Sequence, residues 1–274
     1  MPTAARAGLP RLVATDLDGT LLRSDGTCSE RTRATLAAAE RAGIQVVLVT
    51  ARPPRWLDEL VDLVGEHGVV LCANGAFVYD VPSRRVLQER CMATGLVAQI
   101  AADLRNALPG IAFAVESRKG FGRELYFLDE RTSGQDRAAA MLEELLDPPP
   151  GKVLARCDGI PAEQFHRLVS GVVGDRGVVS YSGASGLAEI SAAGVTKAAA
   201  LGEWCAARGI DSADVFAFGD MPNDLPMLTW AGRSFGVANA HQDVLVMVDE
   251  VCASNDDDGV AQVLDAALAA HSTE

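Results

Sequence analysis

The sequence predicts a doubly wound α/β domain built on a parallel sheet, with a smaller α+β domain inserted into it. Short, unbroken apolar runs recur near both ends of the chain, and each is followed by a helical pattern. Runs without polar alternation suit strands covered on both faces, as in a parallel sheet layered between helices. The middle of the chain reads differently, with shorter runs and denser turn signals. On these grounds residues 1–80 and 190–274 are expected to form the discontinuous first domain, and residues 81–189 the insertion.

Leu12 to Thr15 is the first expected strand, with Asp16 at its end. Ser29 to Ala42 follows as a helix: Ser29 can cap free N–H groups, and Gly43 supplies the residue that ends the helix. Ile44 to Thr50 and Val69 to Cys72 are the next two strands. In the insertion, Leu96 to Leu108 reads as a helix stopped by Pro109-Gly110, and Ile111 to Glu116 and Glu124 to Phe127 read as strands. Asp136 to Leu146 is helical and stops before Pro148-Pro149-Pro150-Gly151, because proline removes a backbone donor and clashes with the preceding turn. Val153 to Arg156 is a strand, Pro161 to Val173 a helix with proline suited to its first turn, and Val178 to Tyr181 and Leu187 to Ile190 are strands. The chain returns to the first domain through a helix from Thr196 to Arg208, ended by Gly209, and strands at Val215 to Phe218, Ser234 to Ala238 and Glu250 to Ala253.

Composition narrows the function. Hydrophobic residues make up 49% of the 274 and charged residues 22%, the balance of a globular chain with a sizeable core. A net charge of −13 repels phosphate backbones and anionic lipid, so neither nucleic acid nor a membrane is an expected partner. The six cysteines are scattered without a C-x-x-C pair, which suits reduced, buried thiols better than a disulfide framework or a zinc site. Met1 to Pro10 lacks the apolar stretch of a secretory signal, and the apolar run Ile44 to Val49 is too short to span a bilayer, so the expected location is the cytoplasm.

Four segments carry the chemistry. In Asp16-Leu17-Asp18-Gly19-Thr20, residues two apart share a face, so Asp16 and Asp18 can point into one crevice at a strand's carboxyl end, where open α/β sheets bind ligands. Two carboxylates so close repel unless a cation or proton intervenes. Gly219-Asp220-Met221-Pro222-Asn223-Asp224 follows another buried strand. Hard cations such as magnesium take oxygen ligands, so Asp220 is a natural further ligand, with Asn223 or Asp224 supporting it. A helix cap would explain Asp220 or Asn223 as well, and the two roles are compatible. Thr50-Ala51-Arg52 offers a hydroxyl, backbone N–H groups and a guanidinium to phosphate oxygens, although taken alone it is better read as a capping Thr beside a solvated Arg. Lys197 stands near a helix start, where the macrodipole disfavours a cation. That placement fits a point charge between a nucleophile and a phosphate, with a surface lysine as the alternative.

In this order and with this insertion, the four segments resemble the haloacid dehalogenase-like (HAD) hydrolases, and more narrowly the Cof-type phosphatases whose large type IIB cap follows the third strand. The resemblance covers Arg11 to Tyr79 and Ala188 to Ala267, with Asn74-Gly75-Ala76, Met227, Val237-Ala238-Asn239-Ala240 and Asp258-Gly259-Val260 as supporting details. The insertion resembles the cap in size and pattern, and Ala51 stands where these relatives often carry glycine.

The resemblance implies a Mg2+-dependent phosphatase acting on small phosphorylated metabolites, sugar phosphates or related esters, through an aspartyl-phosphate. It assigns Asp16 as nucleophile and Asp18 as acid and base, and gives the metal to Asp16, the Asp18 backbone carbonyl and Asp220. Phosphate or substrate falls to Thr50, Ala51, Arg52, Asn74, Gly75, Lys197 and Asn223, with Asp224 in support. A phosphotransferase or phosphomutase, or a sensor without turnover, would share the fold. Gly232-Arg233-Ser234-Phe235-Gly236 fits the G-x-S-x-G pattern of serine hydrolases, but Ser234 is expected to begin a strand rather than a sharp turn before a helix. Specificity is expected from the cap, with Glu116, Arg118, Lys119, Arg123 and Tyr126 as candidates, each read first as a surface residue; His67 and His166 are read as surface residues without a role.

Overall fold

The structure is a computed structural model that describes residues 9–60, 63, 68–127, 139–181 and 186–271. The chain opens with β1 (Leu12–Thr15), α1 (Glu30–Arg41), β2 (Gln45–Val49), β3 (Val69–Cys72), β4 (Phe77–Asp80) and β5 (Arg85–Glu89). It continues through α2 (Thr94–Ala107), β6 (Ala112–Ser117), β7 (Gly120–Arg123), α3 (Leu142–Leu145), β8 (Lys152–Arg156), α4 (Ala162–Val173), β9 (Gly177–Ser180) and β10 (Leu187–Ala192). It closes with α5 (Lys197–Ala206), β11 (Val215–Gly219), α6 (Leu225–Trp230), β12 (Arg233–Val237), α7 (Gln242–Leu245), β13 (Glu250–Cys252) and α8 (Gly259–His271).

Two sheets result. The larger runs in the order β13-β12-β11-β1-β2-β3-β4-β5, parallel from β13 to β3 and antiparallel through β4 and β5. Its central strands β1, β2, β3 and β11 are buried on both faces, as their unbroken apolar runs require, while the edge strands β5 and β13 are largely exposed. Alternate residues of each strand enter opposite cores. Val13, Leu48, Val70 and Phe218 pack with Leu36 and Ala39 of α1 and Val260 and Leu264 of α8. Leu12, Ala14, Val47 and Leu71 pack on the other side with Leu201 and Cys205 of α5 and Met227 of α6. α1 starts where expected: the Ser29 hydroxyl accepts from the Thr32 N–H at 3.0 Å.

The smaller sheet, β7-β6-β8-β10-β9, is antiparallel throughout. One face, with Phe113, Val115, Val153 and Ile190, packs on Val97, Ile100 and Leu104 of α2 and Phe165 and Val169 of α4. The opposite face carries Ala112, Ala114, Phe121, Phe127 and Leu154.

Several details differ from the sequence expectation. The chain leaves the larger sheet after Glu89 rather than at residue 80, because β5 pairs with β4 and extends that sheet. It leaves the smaller sheet after Ala192 rather than at 189, because the β10 ladder runs on against β8 and β9. Glu124 to Phe127 is a turn, not a strand. The hairpin partner of β6 is β7, reached through a tight reversal closed by Gly120 at φ +92°. Glu124 instead turns its carboxylate back onto the Phe113 N–H at 2.9 Å and onto Arg105. Of the helix expected from Asp136 to Leu146, the part at 136–138 lies outside the described residues. The remainder holds only the single turn of α3, which Met141 enters in extended conformation.

All six cysteines are free, four of them buried. Burial pushes the thiols of Cys91, Cys205 and Cys252 up to about 11, a state that suits packing rather than reactivity.

Candidate active site

The chain reverses its direction of travel along the larger sheet at β1: β2 and β3 lie to one side, β11 to β13 to the other. This switch point leaves a crevice beyond the strands' carboxyl ends. All four segments singled out in the sequence meet there: three are the loops that follow β1, β2 and β11, and the fourth follows β10 and opens α5, whose start lies against the loop after β3 at Gly75.

Asp16 follows β1 directly, and its N–H donates to the Phe218 carbonyl of β11 at 3.0 Å. Its side chain is 8% exposed. Two residues on, Asp18 is exposed over 58% of its side chain. The pair is therefore asymmetric, with one carboxylate sunk against the sheet and one at the mouth. Gly19 makes the turn between Asp18 and Thr20 possible at φ +80°. A Cβ placed on Gly19 would lie 2.5 Å from Asp220 Oδ2. Gly19→Ala is therefore expected to cost about 1–2 kcal/mol for the left-handed backbone alone, and more for the displaced carboxylate. Urea unfolding of the variant against wild type measures the sum.

Lys197 opens α5, and its buried ammonium is the centre of the site. It donates to Asp16 Oδ1 at 2.5 Å and to Asp224 Oδ1 at 2.6 Å, and is 1% exposed. Burial alone would lower its pKa, but the two carboxylates overcome that and hold its proton firmly. A lysine at a helix start, disfavoured by the dipole, is stabilised here by two anions. Asp224 is fully buried, and its Oδ2 accepts from the N–H groups of Asp220 and Met221 at 3.1 and 3.0 Å. It is thus both the cap of the turn after β11 and the counter-charge of Lys197.

Asp220, 7% exposed, accepts from the Thr20 hydroxyl at 2.9 Å through Oδ1. Burial and the neighbouring Asp224 push its pKa up to about 6. Asp16 is also held well above the usual carboxylate range, first by burial and then, against the opposing pull of Lys197, by Asp224 and Asp220. Oxygens of Asp16, Asp220 and Asp224 lie within 4.8 Å of one another. Both Asp224 oxygens are already engaged, so Asp16 and Asp220 are the carboxylates with capacity for a cation. Burial and the neighbouring carboxylates disfavour their charged forms, a cost that a cation would offset, and an all-oxygen donor set suits a hard divalent ion.

Thr50, Asn74 and Asn223 line the other side. The Thr50 hydroxyl accepts from the Arg52 N–H at 3.0 Å. Asn74 adopts φ 58°, with its N–H on the Thr50 carbonyl at 3.0 Å, and its Oδ1 accepts from Asn223 Nδ2 at 3.2 Å. Gly75, at φ +96°, passes so close to the start of α5 that a Cβ would lie 2.5 Å from the Thr196 carbonyl.

Arg52, expected to face an anionic substrate, instead forks onto Asp18, with Nε at 2.8 Å and Nη2 at 2.6 Å from its two oxygens. A planar guanidinium matches a carboxylate in this two-point way. Ala51 offers its carbonyl to Lys152 of β8 at 2.8 Å.

Of the cap candidates, Glu116 is no surface residue: it is 2% exposed and accepts a bidentate bond from Arg55 of the first domain. Arg118 and Lys119 are exposed and lie beside Glu89 and Asp147, Arg123 donates to the Phe127 carbonyl, and Tyr126 is 82% exposed. His166 is half-buried on α4, edge-on to Tyr181; His67 lies outside the described residues. Ser234 sits within β12 with its hydroxyl on Asp249 Oδ2 at 2.8 Å, not at a nucleophile turn.

Two asparagines support the nucleophile loop: Asn239, which the sequence offers only as a detail of the resemblance, and Asn255, which no motif marks. Asn239 Nδ2 donates to the Gly19 carbonyl at 2.8 Å, and Asn255 Nδ2 to the Leu22 carbonyl at 2.9 Å. Lys152 and Glu189 were also missed. Their sequence signal is weak: Glu189 is the one charge within β10, whereas Lys152 merely begins β8, which Arg156 ends.

The sequence pattern of the haloacid dehalogenase-like hydrolases matches residues 13–264. The chain belongs to this family, and within it to the Cof-type hydrolases. It is 28% identical over 262 residues to the putative phosphatase YxeH of Bacillus subtilis, covering 93% of this chain and 97% of that one. It is 25% identical over 267 residues to the pyridoxal phosphate phosphatase YbhA of Escherichia coli, with coverage of 93% and 97%. The fold superposes on a haloacid dehalogenase-like hydrolase from Bacteroides thetaiotaomicron with a TM-score of 0.77, at 25% identity and coverage of 94% and 99%. The chain is thus a hydrolase of the phosphatase class. No helix among the described residues is long and apolar enough to cross a membrane.

Proposed function

We propose that the protein is a Mg2+-dependent phosphatase that hydrolyses small phosphate monoesters through a phosphorylated Asp16. The observation that carries the reading is the buried Asp16 held by Lys197 beside the exposed Asp18 held by Arg52. One carboxylate is placed to attack and the other to exchange protons with a leaving group or water.

In the first step an Asp16 oxygen attacks phosphorus in line, a P–O bond forms, and the bond to the ester oxygen breaks. Asp18 gives its proton to the departing alkoxide, which leaves as the alcohol. In the second step Asp18 takes a proton from water as the water oxygen attacks phosphorus, releasing phosphate and restoring the Asp16 carboxylate. Lys197, Thr50, Asn74 and Asn223 bind phosphoryl oxygens as charge spreads over them. Asp16, the Asp18 carbonyl and Asp220 would hold magnesium, which when bound offsets the repulsion between nucleophile and phosphate dianion. The inserted domain, residues 81–189 by sequence and bounded by β5 and β10 by sheet, covers the site and contacts the leaving group.

Relatives that act on pyridoxal phosphate and on a phosphoribitylamino-uracil support small metabolites as the substrate class. Phosphate release from a panel of such esters, sugar phosphates included, tests the reading. Release is expected with magnesium, and is expected to vanish when the protein is stripped with EDTA and return on adding magnesium back. Turnover unchanged by metal removal would overturn the metal assignment. No release from any ester by folded protein would overturn hydrolysis.

A further inference from the structure

The face of the smaller sheet turned away from α2 and α4 ends, next to the first domain, in three charged residues. Glu116 of β6 lies directly opposite Lys152 of β8, and Glu189 of β10 sits diagonally from it on the same face. Lys152 and Glu189 are 2% and 6% exposed. The Lys152 ammonium donates to Glu189 Oε2 at 2.9 Å and, across the boundary between the two sheets, to the Ala51 carbonyl at 2.8 Å. Glu189 Oε2 also accepts from Asn74 Nδ2 at 2.7 Å.

Each contact ends on a loop of the candidate site. The peptide whose carbonyl Lys152 holds has its N–H on the Thr50 hydroxyl at 3.0 Å, so that one peptide plane is fixed at both ends. The next side chain along, Arg52, grips Asp18. On the other branch Glu189 holds the Asn74 amide, whose oxygen holds Asn223. A buried ion pair is seldom more stabilising than an apolar pair of the same size. Stability therefore gives no reason to place one here, whereas its contacts with the loops after β2 and β3 do.

We propose that Lys152, with Glu189, is a positioning pair. It fixes the Ala51 carbonyl and the Asn74 amide so that Thr50, Asn74 and Asn223 present a ready cradle to phosphoryl oxygens, and it does so from the inserted domain. The inference rests on the reading of this site as a phosphoryl-transfer centre. Neither residue touches the reacting atoms. Their role is to hold donors in place, as supporting contacts do in sites where displacement by a fraction of an ångström weakens binding.

The test measures binding of orthovanadate, a phosphate analogue that mimics the transferring phosphoryl group when it accepts a fifth oxygen ligand, by calorimetry with magnesium present, alongside ester hydrolysis. The proteins are wild type, Lys152→Met and Lys152→Met/Glu189→Gln. The single variant strands the Glu189 charge in the interior and puts folding at risk. The double variant removes both charges at nearly constant volume and keeps an acceptor for Asn74. The expected result is vanadate affinity more than tenfold weaker in the double variant, with kcat/KM falling in parallel. A purely structural role would lower thermal stability and the folded fraction but leave the dissociation constant of the folded molecules unchanged. A double variant that binds vanadate within tenfold of wild type overturns the proposal, as does a wild type that binds none. Wild type that binds vanadate but hydrolyses no ester, with the double variant weakened, would support the positioning role and remove only the hydrolase reading.

Discussion

Asp16→Asn is expected to lower phosphate release by about 10⁴-fold or more, to the limit of detection, in a protein that still folds. Losing the nucleophile of a covalent mechanism removes the pathway rather than slowing it. Asparagine keeps the planar shape and one oxygen to accept from Lys197, which retains Asp224 as its anion. Burial holds the Asp16 carboxyl well above its ordinary range, so folding pays to keep it charged and the neutral isostere relieves that cost. The variant should therefore unfold at the same temperature as wild type or somewhat above it. A second readout isolates the chemistry. Wild type quenched in acid during turnover should carry a hydroxylamine-labile phosphate on the chain, and Asp16→Asn should carry none. Substantial turnover by a clean preparation of the variant would remove Asp16 from the nucleophile's role.

Lys197→Met is expected to damage both stability and activity. It leaves Asp16, Asp220 and Asp224 clustered, buried and without their shared cation. Breaking a buried pair by removing one partner costs about 3–5 kcal/mol, and losing a donor aimed at developing charge costs about 10²–10³ in kcat. The pH dependence follows from the carboxylates. Asp220 has a folded pKa of about 6 against an ordinary 3.8, so it binds a proton more readily folded than unfolded. Its charge thus opposes folding above about pH 6, and the penalty is absent below 3.8. Without Lys197 this penalty grows. The destabilisation should be large at pH 7.5 and shrink towards pH 5, as chemical denaturation at the two pH values will measure. Magnesium should restore stability at pH 7.5 more than at pH 5, since it replaces the missing positive charge where the carboxylates are ionised. Equal destabilisation at both pH values would argue against a charge role for Lys197.

The sequence points to the centre of the candidate site because the information there is local. An apolar run followed by Asp-x-Asp-Gly places two carboxylates on one face of a strand end, and Gly19 turns the chain away. The same logic, a strand followed by a short polar turn, located Thr50 after β2 and Asp220 after β11. Lys197 stood out because a cation at a helix start contradicts the dipole, and such a contradiction asks for a compensating anion. Other features were legible only in part. The domain boundary at residue 80 places β5 in the insertion although it pairs with β4, because a strand's sheet is chosen by its hydrogen-bond partner, not by its own composition. Glu124 was read as part of a strand because alternation cannot show a carboxylate folding back on the Phe113 N–H.

By itself, then, the sequence determined the α/β architecture, the inserted second sheet, the family, and the loops that carry its motifs. All of these are written in periodicity and in residues a few positions apart. Only the tertiary structure decided what those residues touch. Arg52 turns onto Asp18, Asp224 becomes the anion beneath Lys197, and Lys152 and Glu189 reach from the inserted domain to Ala51 and Asn74. Asp16 and Lys197 are 181 positions apart, and Lys152 and Ala51 101 apart. Contacts over such separations depend on how strands are ordered across a sheet and on how the two sheets meet, and no local pattern encodes either.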